Sequence, residues 1–266
     1  MSGARQLLVM AGWLLFGAGA LSQPPHLPRT LSPDQLRSGL AFSGPDVQGL
    51  QADAFANPGL LWLVRGESLW AQRGGPQIRS CQDCHGLQAG SMRGVAVQYP
   101  KLATGSGTLI NLEDQIRDCR TRRQGASDWG FESAELLAMT MYVTEASKGL
   151  PLRLSPDPRL APHLQAGASL YQRRQGQLNL SCAQCHDQQQ GRQLYSDRLS
   201  QGQPNGYPVY RLEWQTLGSL ERRFRSCYAG IRAELPPWGD LQMRQLALYL
   251  TWRGEGLPLE VPAVRK

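Results

Sequence analysis

The sequence predicts an all-α protein in which one helical unit occurs twice. Three observations carry this expectation. The pattern Cys-x-x-Cys-His appears at Cys81–Cys84–His85 and again at Cys182–Cys185–His186. Residues on both sides of the two copies match at constant spacings. Neither copy contains a stretch of any length with the apolar–polar alternation of a strand.

The two motifs use four of the six cysteines and two of the four histidines. Their spacing is the c-type haem attachment pattern. Two thiols one helical turn apart can add to the two vinyl groups of one porphyrin, and the adjoining histidine presents its imidazole to the iron. A redox Cys-x-x-Cys that happens to precede a histidine would have to arise twice. The expectation is a redox protein with two covalently bound haem c groups. Cys81, Cys84, Cys182 and Cys185 would attach them, and His85 and His186 would be iron ligands.

Taken in chain order, residues 1–20 have the form of an export leader. Arg5 precedes the apolar run Leu7–Leu21, and Ala18–Gly19–Ala20 supplies a small-x-small cleavage pattern. That run is short for a membrane span, a retained anchor being the alternative, and no other segment is apolar enough. Because covalent haem attachment occurs outside the bacterial cytoplasm, the mature protein is expected in the periplasm. The formal charge of +7 becomes +6 without Arg5, the leader's only charged side chain. Such a charge can steer an anionic substrate or an acidic partner. No basic stretch interleaved with aromatics points to nucleic acid. Residues 21–56 precede the duplication and are expected as an extended arm, with Ser32–Pro33 opening one short helix.

The first unit spans 57–150 and the second 151–266. Gly66-x-Ser68–Leu69–Trp70 matches Gly167-x-Ser169–Leu170–Tyr171 at an offset of 101. Beyond the motifs the offset is 108, pairing Tyr99–Pro100 with Tyr207–Pro208, Leu112–Glu113 with Leu220–Glu221, and Arg117-x-Cys119 with Arg225-x-Cys227. The seven added residues fall in the polar stretch 187–206, expected as a surface loop. Asn57–Pro58 and Pro162 can open the first helix of each unit. Closing helices are expected over Ser133–Val143 and Leu241–Trp252. A helix before the haem motif and another near the end is the plan of class I cytochromes c, which predicts two tandem cytochrome c-like domains.

A low-spin haem needs a second axial ligand, usually Met or His. His26 and His163 do not repeat, nor do Met139, Met141 and Met243. Cys119 and Cys227 do. Leu109, Leu112, Ile116 and Cys119 share their spacing with Leu217, Leu220, Phe224 and Cys227, so each cysteine falls on the buried stripe of a helix. Thiolate ligation of both irons follows. A Cys119–Cys227 disulfide and two free buried thiols stay open as alternatives.

Function is sought where the copies differ. Arg222, Arg223 and Arg232 stand where the first unit has Asp114, Gln115 and Gln124. Arg223 lies four residues before Cys227, one turn away on the same helix face. A guanidinium there binds oxyanions and favours the nucleophilic thiolate. For Arg222 and Arg225 a solvated helix face is the alternative. An electron carrier for some other dehydrogenase, or an interaction scaffold, would give Arg223 no special role.

The chain resembles the SoxA family, the larger haem subunits of the SoxAX cytochromes of bacterial thiosulfate oxidation. The resemblance covers nearly all of the mature chain. It is densest in Gly176–Gln177–Leu178–Asn179–Leu180, Tyr210–Arg211–Leu212–Glu213–Trp214 and Arg223–Phe224–Arg225–Ser226–Cys227. Cys81, Cys84, His85 and Cys119 are all present, as in the dihaem branch. The resemblance implies an L-cysteine S-thiosulfotransferase that joins thiosulfate oxidatively to a cysteine of the carrier SoxYZ, with the monohaem cytochrome SoxX as partner. It further implies His85 and Cys119 as axial ligands of the first haem, and His186 and Cys227 of the second. Cys227 would be the catalytic sulfur, carried as a persulfide, and Arg223 the substrate-binding residue.

Overall fold

The computed structural model describes Leu27 and residues 31–266, so the expected leader and His26 lie outside the described residues. The arm is not extended beyond residue 32. Its polar caps and prolines instead make 3-10 turns at Pro33–Gln35 and Gly39–Phe42, then helix α1, Pro45–Ala52, with proline in its first turn. The arm also packs on the second unit. Gln201 donates to the Gln35 carbonyl at 2.9 Å and accepts from the Arg37 amide at 2.8 Å.

The first unit then contains α2 (Gly59–Ala71), the one-turn α3 (Cys81–His85), α4 (Gln88–Ser91), the hairpin β1 (Lys101–Leu102) with β2 (Leu109–Ile110), α5 (Leu112–Asp118) and α6 (Ala134–Glu145). The second repeats the plan as α7 (Ala161–Gln172), α8 (Cys182–His186), an added hairpin β3 (Gln193–Leu194) with β4 (Asp197–Arg198), then β5 (Val209–Arg211), β6 (Thr216–Gly218), α9 (Leu220–Gly230) and α10 (Leu241–Arg253). A last strand, β7 (Ala263–Arg265), pairs in parallel with β5. The fold is therefore mainly helical but not purely so. Its strands are two or three residues long, too short to leave an alternating pattern. Among the described residues no helix is long and apolar enough to cross a membrane.

Each opening helix lies against its closing helix, α2 on α6 and α7 on α10. The matched glycines explain how. A Cβ on Gly66 would lie 2.5 Å from the Ala138 carbonyl oxygen, and one on Gly167 would lie 2.1 Å from that of Gln245. Only glycine lets these backbones approach. Side chains on every side of α6 and α10 are buried, as expected of helices at the centre of a fold. Asn57 caps α2 by accepting from the Gly59 amide at 2.9 Å, and Ser133 caps α6 by accepting from Leu136 at 3.3 Å. Caps of this kind contribute about 1 kcal/mol each.

The units share a core. Val97, Leu137 and Met141 of the first pack with Leu217, Leu259 and Val261 of the second. Backbone bonds from Leu152 to Leu257 and from Leu259 to Leu150, both 2.9 Å, zip the junction. Across the seam, Arg244 grips Asp114 through two bonds of 2.7 and 2.8 Å. Phe131 stacks on Trp238 at 6.2 Å, with Arg117 and Arg225, residues at matched positions, capping the outer faces.

Candidate functional site

Both haem motifs are single helical turns held open at the N-terminus by serine. Ser80 and Asp83 exchange bonds of 3.0 and 2.9 Å, and Ser181 exchanges 3.3 and 2.9 Å bonds with Gln184. Each turn carries its two thiols on adjacent levels and ends on its histidine. All six cysteines are free, so no Cys119–Cys227 bridge joins the units. Burial, reinforced by the nearby Cys119 sulfur, pushes the Cys81 thiol up to about 11. Burial and Cys227 push Cys182 up to about 12. Each later cysteine thus faces the motif of its own unit, as the matched spacing predicts.

In the second unit the imidazole is aimed. His186 Nδ1 lies 2.8 Å from the Ser200 carbonyl oxygen, which can only accept, so Nδ1 carries the hydrogen and Nε2 keeps its lone pair. Gly202, at φ +71°, runs so close beneath the ring that a Cβ would lie 3.1 Å from His186 Cγ. In the first unit the His85 ring instead leans on the Trp70 indole at 5.8 Å, while Trp70 Nε1 donates to the Gly86 carbonyl at 3.0 Å. Two thiols, a histidine and a facing cysteine in each unit fit the attachment and axial ligation of a haem c, and the tight seat under His186 fits a ligand ring that must not turn.

The cysteines opposite the motifs differ in surroundings. Gln115 Nε2 donates to Cys119 Sγ at 3.4 Å. At the equivalent place Arg223 faces Cys227. Burial opposes ionisation of Cys227, but the positive charge of Arg223, then the contact with the His186 imidazole, then the charge of Arg211 outweigh it and bring the thiol down to about 7. This half-buried sulfur is poised to be a thiolate near neutral pH, which is the nucleophilic and ligating form.

The family model for the SoxA/TsdA cytochrome c domain matches residues 65–152. The L-cysteine S-thiosulfotransferase subunit SoxA of Pseudaminobacter salicylatoxidans is 37% identical over 276 residues, covering 98% of this chain and 96% of its own length. The subunit of the same description from Rhodovulum sulfidophilum is 36% identical, covering 91% of this chain and 84% of its own. The chain belongs to the SoxA family. The crystal structure of SoxXA from P. pantotrophus contains a chain of the same fold, with a TM-score of 0.84 and 34% identity over 87% of each chain. A cytochrome c domain, with covalently bound haem c, comes with that membership.

Within this SoxA-family chain the added arginines separate into different roles. Arg223 alone of the three reaches Cys227. Arg222 lies over the Trp214 ring at 4.4 Å and 3.8 Å from Glu132, building the seam. Arg232 is exposed. Arg225 covers Trp238 and donates to the Pro236 carbonyl, so it too is structural. Arg211 is a residue near Cys227 that the reading around the later cysteines missed. A comparison of the β-hairpins would have found it. The 108 offset holds through Lys101↔Ile110 and Val209↔Gly218, placing Arg211 opposite Ala103.

Proposed function

We propose that the chain is the catalytic subunit of a SoxAX-type L-cysteine S-thiosulfotransferase, which conjugates thiosulfate to a cysteine of the SoxYZ carrier. Residues 57–150 and 151–266 are read as tandem class I cytochrome c-like domains behind a leader (1–20) and an arm (21–56). Cys81, Cys84 and His85 with Cys119 would hold one haem c. Cys182, Cys185 and His186 with Cys227 would hold the other. SoxX is the proposed partner and the periplasm the proposed compartment. One observation carries the reading: at the place where Gln115 donates to Cys119, the second unit has Arg223, whose charge brings the Cys227 thiol down to about 7.

Joining two sulfurs removes two electrons, and bound haem c supplies acceptors that take them one at a time. The chain's own residues do the rest. Arg223 holds the sulfonate end of thiosulfate and offsets its charge next to a second anion. Cys227 Sγ takes the sulfane sulfur, forming an S–S bond as the two electrons leave. The carrier thiolate then attacks that sulfur, and Cys227 departs as the thiolate its surroundings favour. Electrons and atoms balance over the two steps.

The deciding experiment is thiosulfate-dependent conjugation to SoxYZ by wild type and by Arg223→Gln, the residue the first unit already has. Loss in the variant supports the reading, and equal rates overturn it. Cys227→Met tests the sulfur itself: full haem content with full conjugation would reduce Cys227 to an iron ligand.

A further inference from the structure

We infer that Arg211 is a second oxyanion-holding residue of this site, gripping the sulfonate of thiosulfate from strand β5 while Arg223 grips it from helix α9. The inference rests on the reading of thiosulfate as substrate and goes beyond it in naming how the dianion is held.

Arg211 is 95% buried, with only 5% of its surface exposed, yet its charge is poorly matched. Its Nη2 lies 3.4 Å from Asp197 and 3.3 Å from Glu213, longer than the ~2.7–2.9 Å of a close charge-assisted bond. Both carboxylates reach solvent, at 42% and 65% exposure. Arg211 Nε is buried with no hydrogen-bond partner. Other buried arginines are held closely. Arg244 has Asp114 at 2.7 Å and Arg265 has Glu260 at 2.6 Å. Arg253 also keeps an unbonded Nε, but it is in tight contact with Asp187 and covers the Tyr171 ring at 4.5 Å, whereas Arg211 has only its long ion pairs and the Trp214 ring at 5.2 Å.

A buried donor left unmade is costly. The position of Arg211 suggests what completes it. Strand β5 pairs with β6, which leads straight into α9, and the Trp214 ring lies under both Arg211, at 5.2 Å, and Arg222, the neighbour of Arg223, at 4.4 Å. Arg223 has no side-chain hydrogen bond among the described residues, and its acidic neighbours are the same Asp197 and Glu213. Two guanidinium forks from different elements therefore converge beside one sulfur, sharing two carboxylates that can swing into solvent. A tetrahedral sulfonate offers three oxygens to such a pair and displaces the carboxylates. Ala103 at the matched position shows that the first unit has no such pair. Asp197 belongs to the hairpin β3–β4, so the added residues of the second unit supply one of these carboxylates.

The test is calorimetric titration of thiosulfate into the haem-loaded protein in complex with its partner cytochrome, with no carrier present and therefore no turnover. Arg211→Met is expected to weaken binding by at least about tenfold, and Arg211→Lys by less. In the conjugation assay KM is expected to rise by a larger factor than kcat falls. The double variant Asp197→Asn, Glu213→Gln frees both arginines and is expected to bind thiosulfate more tightly. If Arg211→Met does not fold, this double variant decides: tighter binding supports the assignment and unchanged binding overturns it. Thiosulfate binding by Arg211→Met equal to wild type overturns the assignment alone. Wild-type protein that neither binds nor conjugates thiosulfate overturns the functional reading and the assignment with it.

Discussion

One helical turn before Cys119 stands Gln115, whose amide donates to the sulfur at 3.4 Å; one turn before Cys227 stands Arg223, whose charge favours the thiolate. The backbones differ as well. Helix α5 gives way at Cys119 to a π-helical turn, Cys119–Arg123, whereas α9 runs as regular α-helix past Cys227 to Gly230. The first unit has its own cations nearby, but Arg120 bonds the Ser127 carbonyl at 2.7 Å and covers Trp129 at 4.1 Å, and Arg122 pairs with Asp118 at 2.5 Å. Duplication thus supplied two places where a sulfur faces a haem motif, and charge distinguishes them. The neutral copy suits a ligand, and the cationic copy suits a ligand that also meets an anion.

The largest effect expected from testing this contrast is on the haems themselves. With the haem ligation proposed above, Cys119→Met and Cys227→Met should each raise the potential of their own unit's haem, by on the order of several hundred millivolts within the ~0.8 V that axial ligands command. Potentiometric titration checks it, and a variant that moved only the other unit's haem would break the pairing. Next is the exchange of neighbours. Arg223→Gln is expected to lower kcat/KM for conjugation about 10- to 100-fold, the cost of one charged hydrogen bond, while Gln115→Arg leaves conjugation unchanged. An equal loss in both would erase the distinction between the units.

A third test concerns stability. Behind His186, Asp187 accepts from Tyr171 at 2.8 Å and pairs with the buried Arg253, where the first unit has only the Trp70–Gly86 bond. Asp187→Ala strands that arginine and should cost about 3 kcal/mol in denaturant unfolding. The smallest effect lies where the units agree. Burial holds Glu221, and likewise its counterpart Glu113, up at about 7 from 4.5. Between pH 4.5 and 7 the folded chain keeps protons that the unfolded chain has lost, so stability falls as pH rises through that window and levels off above it. Glu221→Gln should flatten the slope by roughly 1–2 kcal/mol, read from unfolding at pH 5 and pH 8.

How far the residues alone disclosed the site depended on distance along the chain. Cys227 and Arg223 share one helix face, so periodicity was enough to bring them together. Arg211 is 16 residues from Cys227 and arrives through a three-residue strand, which no periodicity marks. The helices α2, α6, α7, α9 and α10 follow from apolar spacing and visible caps. Helix α1 does not, because it buries only Val47 and is held by contacts with β7, such as Gln51 accepting from the Val264 amide at 2.9 Å. The π turn at Cys119 likewise has no local signature, since Arg120–Arg123 would suit an ordinary helix end.

The shared core of Val97, Leu137, Met141, Leu217, Leu259 and Val261 has a consequence for traffic between the units. Two carriers on a flexible tether exchange charge through a distribution of separations, fast when they touch and slow when they part. Two carriers embedded in one packed interior have a single clearance, the same in every molecule and at every moment. With both motifs loaded as proposed, transfer between them is a property of the packed interior, tuned by which side chains fill it.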